Sequence, residues 1–150
     1  MIMLRVFVAA SLATAILAIG RSAAAQTDTY KARLSTMPVE NARLAVLAGS
    51  GTATATLTSR SLTVRGSFEG MKTPVAIAQI HLGPRGIRGP VMFDLVLTKS
   101  PTDAGAGTIA GTFTLTPEQV EAVKSSRFYI QINGDKVQDG GLWGWLLPQN

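Results

Sequence analysis

Two adjacent stretches constrain the fold more than any other feature. Thr52 to Thr58 reads TATATLT, Ser61 to Phe68 reads SLTVRGSF, and only Ser59-Arg60 separates them. Strict apolar/polar alternation rich in β-branched residues matches the two-residue period of a strand with one dry face and cannot wrap a helical stripe. A two-residue connection then makes the pair a hairpin. Similar segments recur at roughly ten-residue spacing, a rhythm that indicates an antiparallel sandwich or barrel of about seven or eight short strands. They run from Tyr30 to Leu34, Val75 to Leu82, Val91 to Thr98, Thr108 to Leu115, Phe128 to Ile132 and Leu142 to Leu147. Gly111 inside one of them predicts a bulge. Thr116-Pro117-Glu118-Gln119 writes the only helix start, with Thr116 as cap, Pro117 in the first turn and Gln119 reaching back. Glu40 to Ala48 fits neither period cleanly and stays open between a short helix and a strand lead-in.

The N-terminus carries a different pattern. Met1 to Arg5 holds one positive charge, Val6 to Ile19 is apolar, and Ala23-Ala24-Ala25 precedes Gln26. This order of charged, apolar and small residues predicts a signal peptide over residues 1–25 and an exported domain over residues 26–150, periplasmic or secreted. The apolar run is shorter than the roughly 20 residues a spanning helix needs, so no stable membrane span is expected in the mature chain. There is no cysteine, so an exported domain of this size relies on packing rather than disulfides, and thiol catalysis is excluded. Losing Arg5 and Arg21 with the leader lowers the formal charge from +5 to about +3, spread along the chain. A nucleic-acid partner is not expected from so mild and unclustered a charge.

His81 is the only histidine, set in an apolar strand that runs into the loop Gly83-Pro84-Arg85-Gly86-Ile87-Arg88-Gly89-Pro90. One imidazole without thiolates falls short of the three or four ligands of a zinc or copper site, so no metal and no cofactor is expected. Asp94 leaves a Ser-His-Asp arrangement formally open, but no G-x-S-x-G elbow is present. Otherwise His81 reads as a half-buried residue bonded to nearby backbone. The loop repeats glycine every third residue for three triplets, too few for a collagen helix. Its Arg85 and Arg88 suit a carboxylate or sulfate, or else are solvated loop charges. Asn133, Asp135 and Asp139 lack the ligand spacing and terminal glutamate of a calcium loop and read as a turn. Trp143 and Trp145 share one face of the last strand with Leu147, opposite Leu142 and Leu146. The core is expected to take at least one tryptophan, and the strand to be covered by the N-terminal segment or a second protein.

The stretches GTATATLTSRSLTVRGSFEGM from Gly51, AIAQIHLGPRGIRGPVMFDL from Ala76 and GTIAGTFTLTPEQVEAVKSSRFYIQIN from Gly107, with the Gly140-Gly141 approach to the last strand, resemble the CHRD (chordin) domain family. The resemblance spans about Tyr30 to Leu147. It implies an all-β, antiparallel, Greek-key-like β-sandwich, similar to immunoglobulin or superoxide dismutase folds, with one short helix and no established catalysis. The family pattern has histidine at two alternate positions of the central strand; this chain has His81 and, at the other, Gln79. Asn133 stands near a third family histidine, and Leu142 to Trp145 replace a charged run.

Together these readings lead to an exported non-enzymatic binding or structural module. Its expected contacts are Arg85, Arg88, His81, Trp143 and Trp145, toward an extracellular protein or an anionic glycan. The alternative is a small hydrolase or metal-dependent enzyme centred on His81, with Asp94 or Gln79 as helpers.

Overall fold

The structure is a computed structural model that describes residues 25–37 and 48–149, without the side chains of 137–140. The expected leader over residues 1–25 apart from Ala25, the undecided segment Glu40 to Ala48 apart from Ala48, and the Asp139 side chain lie outside the described residues.

Among the described residues ten strands and one helix follow in order: β1 Thr27–Thr36, β2 Ser50–Thr58, β3 Ser61–Glu69, β4 Val75–Leu82, β5 Val91–Asp94, β6 Val96–Lys99, β7 Gly107–Thr114, α1 Pro117–Lys124, β8 Phe128–Gly134, β9 Val137–Trp145 and β10 Leu147–Pro148. Every pairing is antiparallel, and the neighbours run β5-β4-β8-β9-β1-β2-β3-β7-β6, with β10 on β1. The ends of this path, β5 and β6, are consecutive in the chain with only Leu95 between them, so the chain itself bridges the open seam of a nearly closed, barrel-like sheet. Leu95 is buried at that corner and its N–H donates to the Ala78 carbonyl at 2.9 Å. The segment expected as one strand from Val91 to Thr98 is therefore two, pairing with different partners.

Alternation fills the interior. Ala53, Ala55 and Leu57 of β2, Leu62, Val64 and Phe68 of β3, and Tyr30, Ala32 and Leu34 of β1 all point inward. The hairpin turns at Ser59, whose φ of 56° is the sign a II′ turn demands at its first central position. The helix carries both halves of its capping box, Gln119 N–H to Thr116 and Thr116 N–H to Gln119, and buries Val120, Ala122 and Val123 against the core. Its Glu118 carboxyl sits below the ordinary range, held by its own backbone N–H and by Thr116.

Irregularities fall where the sequence does not advertise them. Gly111 pairs with Val64 in unbroken register, so the expected bulge is absent; a side chain there would collide with the Phe113 ring instead. The bulges lie in the other half of the barrel. Val75 faces Gly134 and Ile77 faces Asn133, which leaves Ala76 as the extra residue and turns Val75 inward beside Ala78 and Ile80. Ile80 faces Phe93 and His81 faces Val91, which leaves Met92 extra in β5. Ile77, Gln79 and His81 thus share the outer face of β4 without Val75.

Candidate functional site

Strand register assembles a row of rings on the outer face of β4, β8 and β9. His81 pairs with Tyr129, and Tyr129 pairs with Trp145. His81 stacks on Tyr129 with centroids 5.0 Å apart and planes 21° apart. Trp145 leans on the other side of Tyr129 at 4.7 Å, and Trp143 meets Trp145 edge-on at 4.6 Å. One step along the strands, Gln79 pairs with Gln131 and Gln131 with Trp143. Such ring pairs add about 0.5–1.5 kcal/mol each beyond the area they bury.

Both tryptophans lie on this outer face, half-buried, whereas Leu142 and Leu146 enter the core fully. The expectation that the core takes a tryptophan is corrected by the register: positions 142, 144 and 146 are the inward ones. At 144 the backbone runs so close to the Arg33 carbonyl that only glycine fits.

The Gly83–Pro90 loop folds over this row and is tied to it. Pro84 to Ile87 form a tight turn, closed by Ile87 N–H to the Pro84 carbonyl at 3.0 Å, with Gly86 at φ 80° in the place where a type II turn needs glycine. Leu82 N–H donates to Pro90 and Gly83 N–H to Arg127 at the loop's base. Three side chains then splint it. His81 Nδ1 lies 3.0 Å from the Gly89 carbonyl, Gly89 N–H donates to the Tyr129 hydroxyl at 2.9 Å, and Trp145 Nε1–H donates to the Gly83 carbonyl at 3.0 Å. Loop closure thus covers part of the tryptophan strand.

Because a carbonyl only accepts, His81 Nδ1 is the donor in its bond to Gly89. His81 is 8% exposed, and Nε2 has no hydrogen-bond partner among the described residues. A buried polar atom in that state costs about 1–3 kcal/mol. Asp94 is engaged elsewhere: Gln79 Nε2–H donates to its carboxylate at 2.7 Å. Sequence reading placed Asp94 and Gln79 as helpers of His81, and the structure brings them to each other. Among the described residues no three His, Cys, Asp or Glu side chains gather as a metal site.

Arg85 and Arg88 are exposed on the loop, flanking Ile87, which is 59% exposed. Asn133 lies inside β8 rather than in a turn, buried beside Gln131, whose Nε2–H reaches its side-chain oxygen at 3.1 Å; Asp135 is exposed in the turn that follows. Tyr129, fully buried at the hub of the cluster, is the site residue that sequence reading missed. The available signal was the alternation Tyr129, Gln131, Asn133, which put three hydrogen-bonding side chains on one face of an apolar strand.

No curated protein and no solved structure matches the chain. The family model of the CHRD domain matches residues 30–144, a span that holds most of the strands described above, the Gly83–Pro90 loop and all of the ring row except Trp145. The chain belongs to the CHRD domain family.

Proposed function

We propose that this protein is an exported, non-enzymatic binding module that presents Arg85, Ile87 and Arg88 to an acidic partner, an extracellular protein or an anionic glycan. One observation carries the reading. The loop bearing these residues is tied at Gly83 and Gly89 to three aromatic side chains, yet its tip shows two guanidinium groups and an apolar side chain to solvent. Among the described residues neither arginine has an acidic partner within 4.0 Å. A splinted tip has little conformational entropy left to lose on binding, which is how preorganised loops gain affinity. The leader pattern supports export. An immunoglobulin-like Greek-key sandwich is the finer description of the fold that we propose, supported by the way the chain changes halves at Leu95, as strands do at sandwich corners.

The test is capture from the native exported fraction with the protein as bait. Arg85→Glu with Arg88→Glu abolishes reproducible enrichment, and His81→Ala weakens it only through the loop. Enrichment unchanged by the double reversal contradicts the reading.

The unpartnered His81 Nε2 favours one second reading, a small hydrolase or metal-dependent enzyme centred on that nitrogen. A hydrolytic activity lost in a folded His81→Ala protein, while the arginine variant keeps it, establishes that alternative.

A further inference from the structure

A cleft of about 640 Å³ lies on the outer surface of β1, β2 and β3, away from the Gly83–Pro90 loop. This volume lies within the range typical of small-ligand sites. Lys31 and Arg33 stand on its β1 wall, Ser50, Thr52 and Ser67 supply hydroxyls, and Glu69 closes the far side. The cations are exposed because they alternate with the buried Tyr30, Ala32 and Leu34. Among the described residues the ion pair formed is Lys124 with Glu121, so neither Lys31 nor Arg33 is neutralised by Glu69.

The neighbouring strand adds an aromatic ledge. Leu147 pairs with Lys31 and Trp143 with Ser35, so the same register sets Trp145 beside Arg33. The close approach of Gly144 to the Arg33 carbonyl fixes that contact between strands. Cations, a hydroxyl rim, one carboxylate and half-buried indoles thus meet on one continuous outer surface.

Each part answers to a different group on a ligand. Two unpaired cations call for an anion. Glu69 opposes a polyanion such as a polyphosphate, but as an acceptor-only group it suits ligand hydroxyls, and the serine and threonine hydroxyls both donate and accept. The indole faces suit the C–H face of a sugar ring. We propose that this cleft binds an acidic saccharide, with Lys31 and Arg33 on a uronate carboxylate, Glu69 and the hydroxyl rim on its hydroxyls, and the Trp143–Trp145 ledge against the ring. The inference rests on the binding-module reading and assigns it a second surface, one that does not need the loop arginines.

The chain has two tryptophans, both on the ledge, so their fluorescence reports this surface together with the Gly83 end of the loop, and the variants separate the two. Tetragalacturonate titrated into the purified protein produces a saturable fluorescence change. Lys31→Glu with Arg33→Glu weakens that binding by about tenfold or more, as loss of charge-assisted contacts requires, and leaves the thermal melt unchanged because both residues are exposed. Lys99→Glu, a reversal at an exposed cation outside both surfaces, retains it. Maltotetraose, equal in length and uncharged, gives no comparable response, and inorganic phosphate at matched concentration does not displace tetragalacturonate. The absence of tetragalacturonate binding, equal binding of maltotetraose, displacement by phosphate, or indifference to the Lys31/Arg33 reversal overturns the cleft. Binding lost only in the Arg85/Arg88 variant overturns the cleft while leaving the loop reading in place.

Discussion

Tyr129 is the residue on which the outer-face cluster turns. Its ring separates His81 from Trp145, its hydroxyl accepts from Gly89, and none of it is exposed. Tyr129→Phe keeps the ring and removes the acceptor, so the Gly89 N–H loses its partner under the loop. The expected cost is about 1 kcal/mol of unfolding free energy, the net worth of one such bond plus part of a desolvation penalty. Denaturant melts of the two proteins measure it; an unchanged midpoint means the hydroxyl does not hold the loop. His81 was conspicuous in the sequence as the lone imidazole of an apolar strand. Tyr129 was not, because its role depends on register with Trp145 and with a loop far away in the chain, and no local pattern encodes either. Trp143 and Trp145 were legible as a pair on one face. Which face became clear only with the position of Gly144 against β1.

At the level of elements, the β2–β3 hairpin and the capped helix followed from local rules, since alternation, a two-residue connection and a capping box each act within a few residues. The bulges did not. Ala76 and Met92 are ordinary strand residues, and each becomes the extra one because the strands on either side must keep their apolar faces inward. Gly111 invited the opposite inference, although its lack of a side chain makes room for Phe113. In the Gly83–Pro90 loop the turn at Gly86 is set by backbone conformation alone, because nothing lies within 4 Å of the place where a Cβ would sit. Gly86→Ala is therefore unfavourable by about 1 kcal/mol from its positive φ, with no steric contribution. Thermal melts test the cost, and a neutral or stabilising Gly86→Ala contradicts the turn.

For the whole molecule, an apolar interior that takes in Tyr30, Phe68 and Phe128 leaves the outer face of β4, β8 and β9 free to carry a second layer. That layer is built from rings and the loop they hold. A nearly closed sheet keeps its free edges short, with β5 and β6 joined directly at the seam. The barrel supplies a stiff wall, the ring row ties the loop to the wall, and the loop shows its arginines to solvent. The Gly83–Pro90 loop is thereby held and not merely tethered. Native-state hydrogen exchange at the Gly83, Ile87 and Gly89 amides measures that hold, since all three N–H groups are bonded. Protection at Gly83 and Gly89 approaches that of the β8 amides, and Ile87 is slowed as well. Exchange of Gly83 and Gly89 at the unprotected rate, with β8 still protected, would contradict it.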